Sequence, residues 1–238
     1  MTKCIIIPCY QEYENINIIL FEINKYKIDN LLVVIVDDSE ISYEHNIKNQ
    51  NFQIVYLNRK KKEGRGSAVL YGIDYVLKLK KDISLIIEMD ADMSHNPNEL
   101  LRNIDLFKKQ NLDLLISSRY LTDSKIINWP LKRKILSFLS NKLSKYLLGV
   151  PVSDYTNGYR VYSVNSAKFI INNCGKIGDG YIVLSEILTM LFYNNFKIGE
   201  ISTVFINRIK GESNVTVKEI FFSLIGLYKI WRIKINIK

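Results

Sequence analysis

The chain has 238 residues, of which 47% are hydrophobic and 24% charged, and its formal net charge at pH 7 is +9. This length and balance indicate one globular domain and exclude a disordered or fibrous chain. The three cysteines form no C-x-x-C pair, and no apolar run approaches the roughly eighteen residues of a membrane-spanning helix. We therefore expect a reducing, cytoplasmic location and no disulfide framework.

The basic excess is concentrated in the second half of the chain. Residues 1–58 carry four basic and eight acidic side chains, residues 119–150 carry seven and one, and residues 208–238 carry seven and two. Basic blocks favour phosphate-rich partners such as anionic lipid, nucleotide-sugar or nucleic acid, although a single block is more often solvated surface.

The first half of the chain alternates short β-branched runs with segments of helical periodicity. The predicted strands are Lys3–Ile7, Leu31–Val36, Gln53–Leu57, Ile83–Met89 and Leu112–Ser117. Helical patterns separate them, including Ser67–Leu79 and a helix that begins near Pro97. This alternation predicts βαβ units and an α/β fold with a doubly wound, mostly parallel sheet.

Beyond Arg119 the pattern becomes mainly helical. Apolar residues step by four between Leu131 and Leu147 with lysines and an arginine among them, which predicts an amphipathic basic helix. The remaining segments are a turn-rich stretch at 151–163, a helix at Tyr181–Tyr193, a strand at Ile198–Ile206 and a terminal helix from about Thr216.

An Asp-x-Asp pair follows the fourth predicted strand. Asp90 and Asp92 come after the apolar run Ile83–Ile87, at the expected carboxyl end of a central strand, where open α/β sheets bind ligands. Residues two apart on an extended segment point to the same side, so the two carboxylates repel unless a cation lies between them. Mg²⁺ or Mn²⁺ with nucleotide phosphates suits such a pair, although Asp-x-Asp is also common in solvated turns.

A second acidic pair, Asp37-Asp38, ends another predicted strand. In a parallel sheet it lies along the same edge as Asp90 and Asp92. Four carboxylates at one edge are costly without cations or hydrogen-bond donors. A turn or helix cap accounts for one of them but poorly for all four.

The loop at 58–67 holds two glycines and five basic side chains and precedes a predicted helix. Such a loop can face phosphates at the helix N-terminus. It lacks the Gly-Lys-Ser/Thr ending of a P-loop, so a flexible surface loop is the favoured interpretation.

Basic side chains of the second half are candidates for phosphate contacts. They are Arg119, Lys132, Arg133, Lys134, Arg160, Arg208 and Lys210. A phosphomonoester acceptor is already anionic at pH 7, so the protein needs to hold two anions together rather than supply a strong base. For Lys132 and Lys134, solvated helix charge is an equal alternative. His95, three residues past Asp92, is expected to pack or cap rather than to catalyse.

Four blocks, in matching order and spacing, resemble the family 2 glycosyltransferases. They are Ile-Ile-Ile-Pro-Cys-Tyr-Gln-Glu (5–12), Val-Asp-Asp (36–38), Met-Asp-Ala-Asp-Met-Ser-His (89–95) and Ser-Arg-Tyr (118–120). Blocks at 128–137, 153–160 and 210–213 resemble the narrower group of dolichyl-phosphate mannose synthases. The resemblance implies a GT-A, Rossmann-like fold and metal-dependent, inverting transfer of mannose from GDP-mannose to a polyprenyl phosphate.

The same resemblance assigns roles to particular positions. The donor-binding residues it implies are Pro8, Tyr10, Glu12, Asp37, Asp38 and Ser94. Asp90 and Asp92 would hold Mg²⁺ or Mn²⁺ and the donor diphosphate. The phosphates of donor and acceptor would meet Arg119, Arg133, Ser137 and Lys210. The chain departs from the family pattern after Asp38, at Asn96, where a second His is common, and at Ile182, where related enzymes can have Lys.

Two alternatives remain open from the sequence. The same fold can serve UDP-glucose, UDP-N-acetylglucosamine or a saccharide acceptor, for which Asp154 is the candidate base. A non-catalytic, basic membrane- or nucleic-acid-binding protein is the other, and the intact Asp-x-Asp pair disfavours it. We expect no nucleic-acid partner.

A lipid acceptor requires contact with a membrane surface. Residues 216–238 interleave apolar, aromatic and basic residues, which is typical of an interfacial helix, although burial of the apolar stripe against the core is an equal alternative. The sequence therefore predicts a transferase domain at 1–215 and an amphipathic basic helix at 216–238. Residues 131–148 and 216–238 are the candidate membrane surfaces, at the cytosolic face and with or without a small membrane subunit.

Overall fold

The computed structural model describes residues 1–207 and 217–237, with side chains of the last helix described for residues 222–236. The strands of this part are β1 (Thr2–Cys9), β2 (Leu31–Asp37), β3 (Gln53–Asn58), β4 (Ile83–Glu88), β5 (Leu114–Ser118), β6 (Lys125–Ile127), β7 (Arg160–Tyr162), β8 (Ile198–Ser202) and β9 (Val204–Ile206). The helices are α1 (Tyr13–Asn24), α2 (Arg65–Lys78), α3 (Leu100–Lys109), α4 (Leu131–Leu148), α5 (Val164–Asn173), α6 (Ile182–Tyr193) and α7 (Val217–Ile237).

Seven strands form one sheet in the order β3-β2-β1-β4-β7-β5-β8. Neighbouring pairs are parallel except those that β7 makes with β4 and β5, so β4 and β5 run in the same direction. The short strands β6 and β9 form a separate parallel pair. The predicted α/β fold with a mixed, mostly parallel sheet is confirmed.

Helices cover both faces of the sheet. Successive side chains of a strand point to opposite faces, so apolar strands present apolar side chains to both faces, and helices bury them. Cys4 and Ile6 of β1 pack with α2, α5 and α6 on one face, whereas Ile5 and Ile7 pack with α1 and α3 on the other. The strands can therefore be apolar throughout, and β2 is buried along its whole length. The polar groups that remain available for chemistry lie beyond the strand ends.

The predicted single strand Ile198–Ile206 is wrong. The strand is interrupted at Thr203. The hydroxyl of Thr203 donates to Glu99 Oε2 at 2.5 Å, and the backbone N–H of Val204 donates to Glu99 Oε1 at 2.8 Å. This buried carboxylate takes the place of a strand partner. As a result, β8 stays in the main sheet and β9 leaves it to pair with β6.

The stretch predicted as turn-rich, 151–163, contains the antiparallel strand β7, and the sequence did not predict helix α5. The expectation that Arg160 faces a phosphate is wrong. Arg160 is fully buried, and its guanidinium donates to the backbone carbonyls of Tyr155, Asn157 and Leu184 at 2.8–3.0 Å. It fastens the 155–157 loop to α6.

Candidate active site

The carboxyl ends of β1, β2, β4 and β5 meet at one edge of the sheet. β1 pairs with β2 on one side and β4 on the other, and β5 runs parallel to β4 across β7. The backbone N–H of Asp38 donates to Cys9 O at 3.0 Å, so the two chains stay together just past their strands. Both acidic pairs and Arg119 therefore lie on the same edge, as the sequence predicted.

The Asp-x-Asp segment is a fixed turn. The carboxylate of Asp92 accepts the backbone N–H of Ser94 at 3.1 Å, and the backbone N–H of Asp90 donates to Nδ1 of His95 at 2.9 Å. Asp90 keeps 18% of its side chain exposed, while Ser94 and His95 are buried. The turn thus leaves the Asp90 carboxylate accessible from solvent.

His95 has a supporting role that its hydrogen bonds define. Because Nδ1 accepts from Asp90, the proton of a neutral ring lies on Nε2, which is 3.0 Å from Oδ1 of Asn157. The ring stacks on Tyr159 and meets Phe205 edge-on. The prediction that His95 packs rather than catalyses agrees with this placement.

The first acidic pair is already satisfied by protein groups. Asp38 accepts Nε and Nη2 of Arg59 at 2.6 and 2.8 Å and the backbone N–H groups of Glu63 and Gly64. Asp37 accepts from the backbone and hydroxyl of Ser39 at 2.9 and 2.6 Å and from the hydroxyl of Tyr56. Asp38 therefore organises the loop after β3, and a nucleotide contact through it would have to share these donors.

The loop at 58–67 was predicted to be a flexible surface loop, and this interpretation is wrong for its two arginines. The side chain of Arg59 is 7% exposed and also donates to the hydroxyl of Ser67 at 2.7 Å. Arg65 is 13% exposed and contacts both Glu88 and Asp90 at 2.6 Å. The four carboxylates of the edge are thus partly neutralised by two arginines of one loop.

Three further predicted donor-binding residues lie at the end of β1. Pro8 is buried within the strand, opposite Val36. Tyr10 is 36% exposed, and Nζ of Lys62 lies 4.4 Å from its ring centroid. The carboxylate of Glu12 accepts from Nδ2 of Asn15 at 2.6 Å, at the start of α1. Their roles toward a nucleotide stay predictions.

Arg119 is held by Asp154 in a buried ion pair. Its Nε and Nη2 lie 2.7 and 2.8 Å from the two carboxylate oxygens, and its backbone N–H also donates to Asp154 at 3.0 Å. Asp154 further accepts the backbone N–H groups of Thr156 and Asn157. Burial alone would raise the pKa of Asp154, but Arg119 and the hydrogen bonds together lower it. Both oxygens of the Asp154 carboxylate are therefore occupied by hydrogen-bond donors, and the carboxylate orients Arg119.

A tryptophan brings the second predicted arginine to the first. The guanidinium carbons of Arg119 and Arg133 lie 5.4 and 4.5 Å from the ring centroid of Trp129. Ser137, one turn after Arg133 on α4, accepts from the hydroxyl of Tyr120 at 2.7 Å. The structure therefore gathers Arg119, Arg133 and Ser137 in one cluster. The other predicted phosphate ligand, Lys210, and the candidate Arg208 lie outside the described residues.

The indole N–H of Trp129 is a buried donor without a hydrogen-bond acceptor in the described part of the chain. Sequence reasoning alone gave Trp129 no role of its own, because a single tryptophan next to an amphipathic helix usually signals core packing. It also missed Arg59, Arg65 and Asn157, whose roles depend on partners far along the chain. The one available signal was the surplus of acids at the sheet edge, which required cations.

The residues present fit a hard divalent cation. Asp90 and Asp92 offer two carboxylates on one fixed turn, and within residues 1–207 and 217–237 no group of three or more His, Cys, Asp or Glu side chains is placed to hold a metal ion. Mg²⁺ and Mn²⁺ are commonly bound by one or two carboxylates together with substrate phosphates. The donor set therefore suits a cation that is shared with a diphosphate.

The chain is similar to two named glycosyl-transferring proteins over most of its length. The chain is 31% identical over 229 residues to the polyprenol monophosphomannose synthase of Mycolicibacterium smegmatis, a match that covers 92% of this chain and 84% of that protein. It is 28% identical over 215 residues to the undecaprenyl-phosphate mannosyltransferase of Micrococcus luteus, covering 89% and 86%.

Solved structures show the fold. The glucosyl-3-phosphoglycerate synthase of Mycobacterium tuberculosis, in complex with Mn²⁺, UDP-glucose and phosphoglyceric acid, superposes with a TM-score of 0.67 at 14% identity, over 97% of this chain and 80% of that one. It is a GT-A glycosyltransferase, so the predicted GT-A fold is confirmed. The sequence profile described as Glycosyl transferase family 2 matches residues 4–170. With most of its length matched by that profile, the chain belongs to glycosyl transferase family 2.

Proposed function

We propose that this glycosyltransferase moves mannose from GDP-mannose to a polyprenyl, dolichyl-type phosphate, with inversion at the anomeric carbon and with help from Mg²⁺ or Mn²⁺. The names of the two relatives, which span most of both chains, support a polyprenyl phosphate acceptor and a mannosyl group. The solved neighbour was crystallised with UDP-glucose, so a direct comparison of GDP-mannose with UDP-sugars tests the donor nucleotide.

The observation that carries the proposal is the state of Asp154. A saccharide hydroxyl needs a base to take its proton, and Asp154 was the candidate base. Both of its oxygens are committed to Arg119 and to backbone N–H groups, and its pKa is lowered, largely against the effect of burial. A carboxylate of this kind is a poor proton acceptor. An acceptor phosphate, in contrast, is anionic at pH 7 and needs no base.

The arrangement of charge supports the same chemistry. Asp90 and Asp92 would hold the cation, whose role when bound is to neutralise the diphosphate that leaves. Arg119 and Arg133 would hold the acceptor phosphate, and Trp129 would keep the two guanidinium groups together. An acceptor phosphate oxygen forms the new bond to the anomeric carbon as the bond from that carbon to the donor β-phosphate oxygen breaks. No proton has to move in this exchange.

The helix that carries Arg133 and Ser137 also presents an apolar surface. Its exposed apolar residues are Leu131, Ile135, Leu136, Phe138, Leu139, Leu143 and Tyr146. Lysines 132, 142 and 145 lie among them. Apolar groups flanked by lysines suit the interface of an anionic membrane. A lipid whose phosphate sits at the start of α4 could then keep its prenyl chain in the bilayer.

Helix α7 adds to this surface and to the core. Leu227 and Ile230 are buried against the body of the protein, whereas Phe222, Leu224 and Tyr228 are exposed. Nζ of Lys234 donates to Leu147 O at 2.9 Å, so α7 lies beside the end of α4. Within the described residues, no helix is long and apolar enough to span a bilayer. We propose that residues 216–238 follow the transferase domain as an interfacial helix, at the cytosolic face of a membrane.

Replacing two exposed apolar residues of α4 tests the membrane surface. Ile135→Ser with Leu139→Ser should weaken binding to anionic lipid vesicles by about tenfold or more, because each side chain loses apolar burial in the interface. Both residues are more than half exposed, at 51% and 57%, so the fold should not suffer. Vesicle co-sedimentation over a range of lipid concentrations measures the effect.

The matched control is Ile18→Ser with Leu101→Ser. These residues are 48% and 49% exposed and lie on α1 and α3, whereas the end of α4 packs with the helices of the other face of the sheet. The control should bind vesicles like the wild-type protein. Equal loss in both double variants, or loss in neither, would contradict the assignment of α4 as the membrane surface.

A donor and acceptor panel tests the proposed function. The protein is incubated with GDP-mannose, UDP-glucose or UDP-N-acetylglucosamine, with a polyprenyl phosphate or a free saccharide as acceptor, and with Mg²⁺, Mn²⁺ or EDTA. We expect mannose to be transferred from GDP-mannose to the polyprenyl phosphate when Mg²⁺ or Mn²⁺ is present, and no transfer in EDTA. Preferred transfer from a UDP-sugar would correct the donor, and transfer to the saccharide would contradict the acceptor.

A further inference from the structure

The guanidinium group of Arg65 is bound to the first aspartate of the Asp-x-Asp pair. Nε of Arg65 donates to Oδ1 of Asp90 at 2.7 Å, and Nη2 lies 2.6 Å from the same oxygen. Nη1 donates to Oε1 of Glu88 at 2.6 Å. A single arginine therefore bridges a buried carboxylate and a carboxylate that is accessible from solvent.

The position of Arg65 is built by its surroundings. Glu88 is fully buried and is fixed from the other side by the hydroxyl of Tyr162 at 2.7 Å. A Cβ atom at Gly158 would lie 1.9 Å from Nη2 of Arg65, so this guanidinium fits only because position 158 has no side chain. The ring of Tyr181 lies 5.4 Å from the guanidinium carbon. The Arg65 side chain is therefore held in place by packing, and its contact with Asp90 is not that of a freely moving surface side chain.

One donor of Arg65 is left over. Although Nη2 is close to Oδ1 of Asp90, it does not meet hydrogen-bond geometry there, and it has no acceptor among the residues that the structure describes. The ion pair with Asp90 compensates part of the cost of burying Nη2, and its N–H groups remain available to a further acceptor. An oxygen of a bound diphosphate is an acceptor of the right charge for a guanidinium.

We propose that the guanidinium of Arg65 is a built-in counter-ion of the metal site and competes with the divalent cation for the Asp90 carboxylate. When the cation binds Asp90, the guanidinium contacts the donor diphosphate instead. Oδ1 of Asp90 cannot give its full negative charge to an arginine and a divalent cation at once. A cation bound at Asp90 would also be repelled by the positive charge of Arg65. Arg65 therefore lowers the affinity for metal alone and raises the affinity for metal together with a nucleoside diphosphate.

This inference rests on the proposed metal site at Asp90 and Asp92, and its test reads metal binding directly. Mn²⁺ alone is titrated into the full chain, and free Mn²⁺ is measured by electron paramagnetic resonance. Arg65→Gln should bind Mn²⁺ about tenfold more tightly than the wild-type protein. Gly158→Ala, which pushes the guanidinium away without changing any charge, should shift the affinity in the same direction.

Two controls separate this effect from net charge and from misfolding. Lys61→Gln removes one exposed positive charge from the same loop and should change the Mn²⁺ affinity by less than about twofold. Arg65→Gln combined with Glu88→Gln keeps the net charge of the wild-type protein and leaves no unpaired buried carboxylate. It should fold and still bind Mn²⁺ more tightly.

The second half of the proposal predicts an opposite change for nucleotide. With Mn²⁺ saturating, GDP and UDP should bind about tenfold more weakly to Arg65→Gln than to the wild-type protein. Mn²⁺ affinities within twofold of wild type in Arg65→Gln, Gly158→Ala and the double variant would overturn the counter-ion role. If neither the wild-type protein nor any variant binds Mn²⁺, with or without GDP, the proposed metal site at Asp90 and Asp92 is wrong, and the role of Arg65 is wrong with it.

Discussion

Asp92→Asn is expected to lower metal-dependent sugar transfer by about a thousandfold or more while the protein stays folded. The substitution removes one of the two carboxylates that we assign to the cation, and loss of metal-centred charge stabilisation is worth several kcal/mol in the transition state. The amide oxygen of Asn can still accept the N–H of Ser94, which Asp92 accepts at 3.1 Å. The turn should therefore survive.

The initial rate of product formation at saturating Mg²⁺ or Mn²⁺ measures this effect, with circular dichroism and the thermal midpoint as the check on folding. Asp123→Asn is a suitable control, because Asp123 is an exposed aspartate in the loop before β6. It should leave the rate unchanged. A rate in Asp92→Asn close to that of the wild-type protein would refute the metal site.

Asp154→Asn is expected to lower the free energy of unfolding by about 3–5 kcal/mol at pH 7. Removing one partner of a buried ion pair leaves the other charge buried and uncompensated, and Arg119 is only 8% exposed. Activity should fall as well, because Arg119 loses the group that orients it. Urea unfolding of the two proteins gives the difference directly.

The pH dependence of this difference has a definite sign. The pKa of Asp154 is lowered in the folded protein, so the carboxylate contributes stability that is present above its unfolded pKa of about 3.9. That contribution is lost as the pH falls through the folded-state pKa. The gap between wild type and Asp154→Asn should thus be constant near neutrality and shrink below about pH 4. A gap that stays the same across this range would mean that the ion pair is not its source.

The sheet and the position of the site could be predicted because they depend on local pattern. Short β-branched runs gave β1 to β5 to within one or two residues at most ends, and the ends of parallel strands share one edge. The strand β7 escaped prediction because three residues are too few to show a period. Its antiparallel insertion between β4 and β5 is a property of the whole sheet.

The supporting contacts of the site could not be predicted, because they join residues that are distant in sequence. Arg59 meets Asp38 across 21 residues, Arg65 meets Asp90 across 25, and Arg119 meets Asp154 across 35. Sequence pattern showed the surplus of acids but not which cations balance them. For the same reason Asp154 resembled a free base, and its pairing with Arg119 became visible only in the fold.

A comparison of two lipid acceptors tests whether the acceptor phosphate is the nucleophile. Transfer from GDP-mannose is measured in parallel to a polyprenyl phosphate and to the polyprenol of the same chain length, which differs only by the phosphate. We expect mannosylated lipid from the phosphate and none above background from the alcohol, since Arg119 and Arg133 then have no anion to hold and no base activates the hydroxyl. Comparable transfer to the alcohol would contradict it.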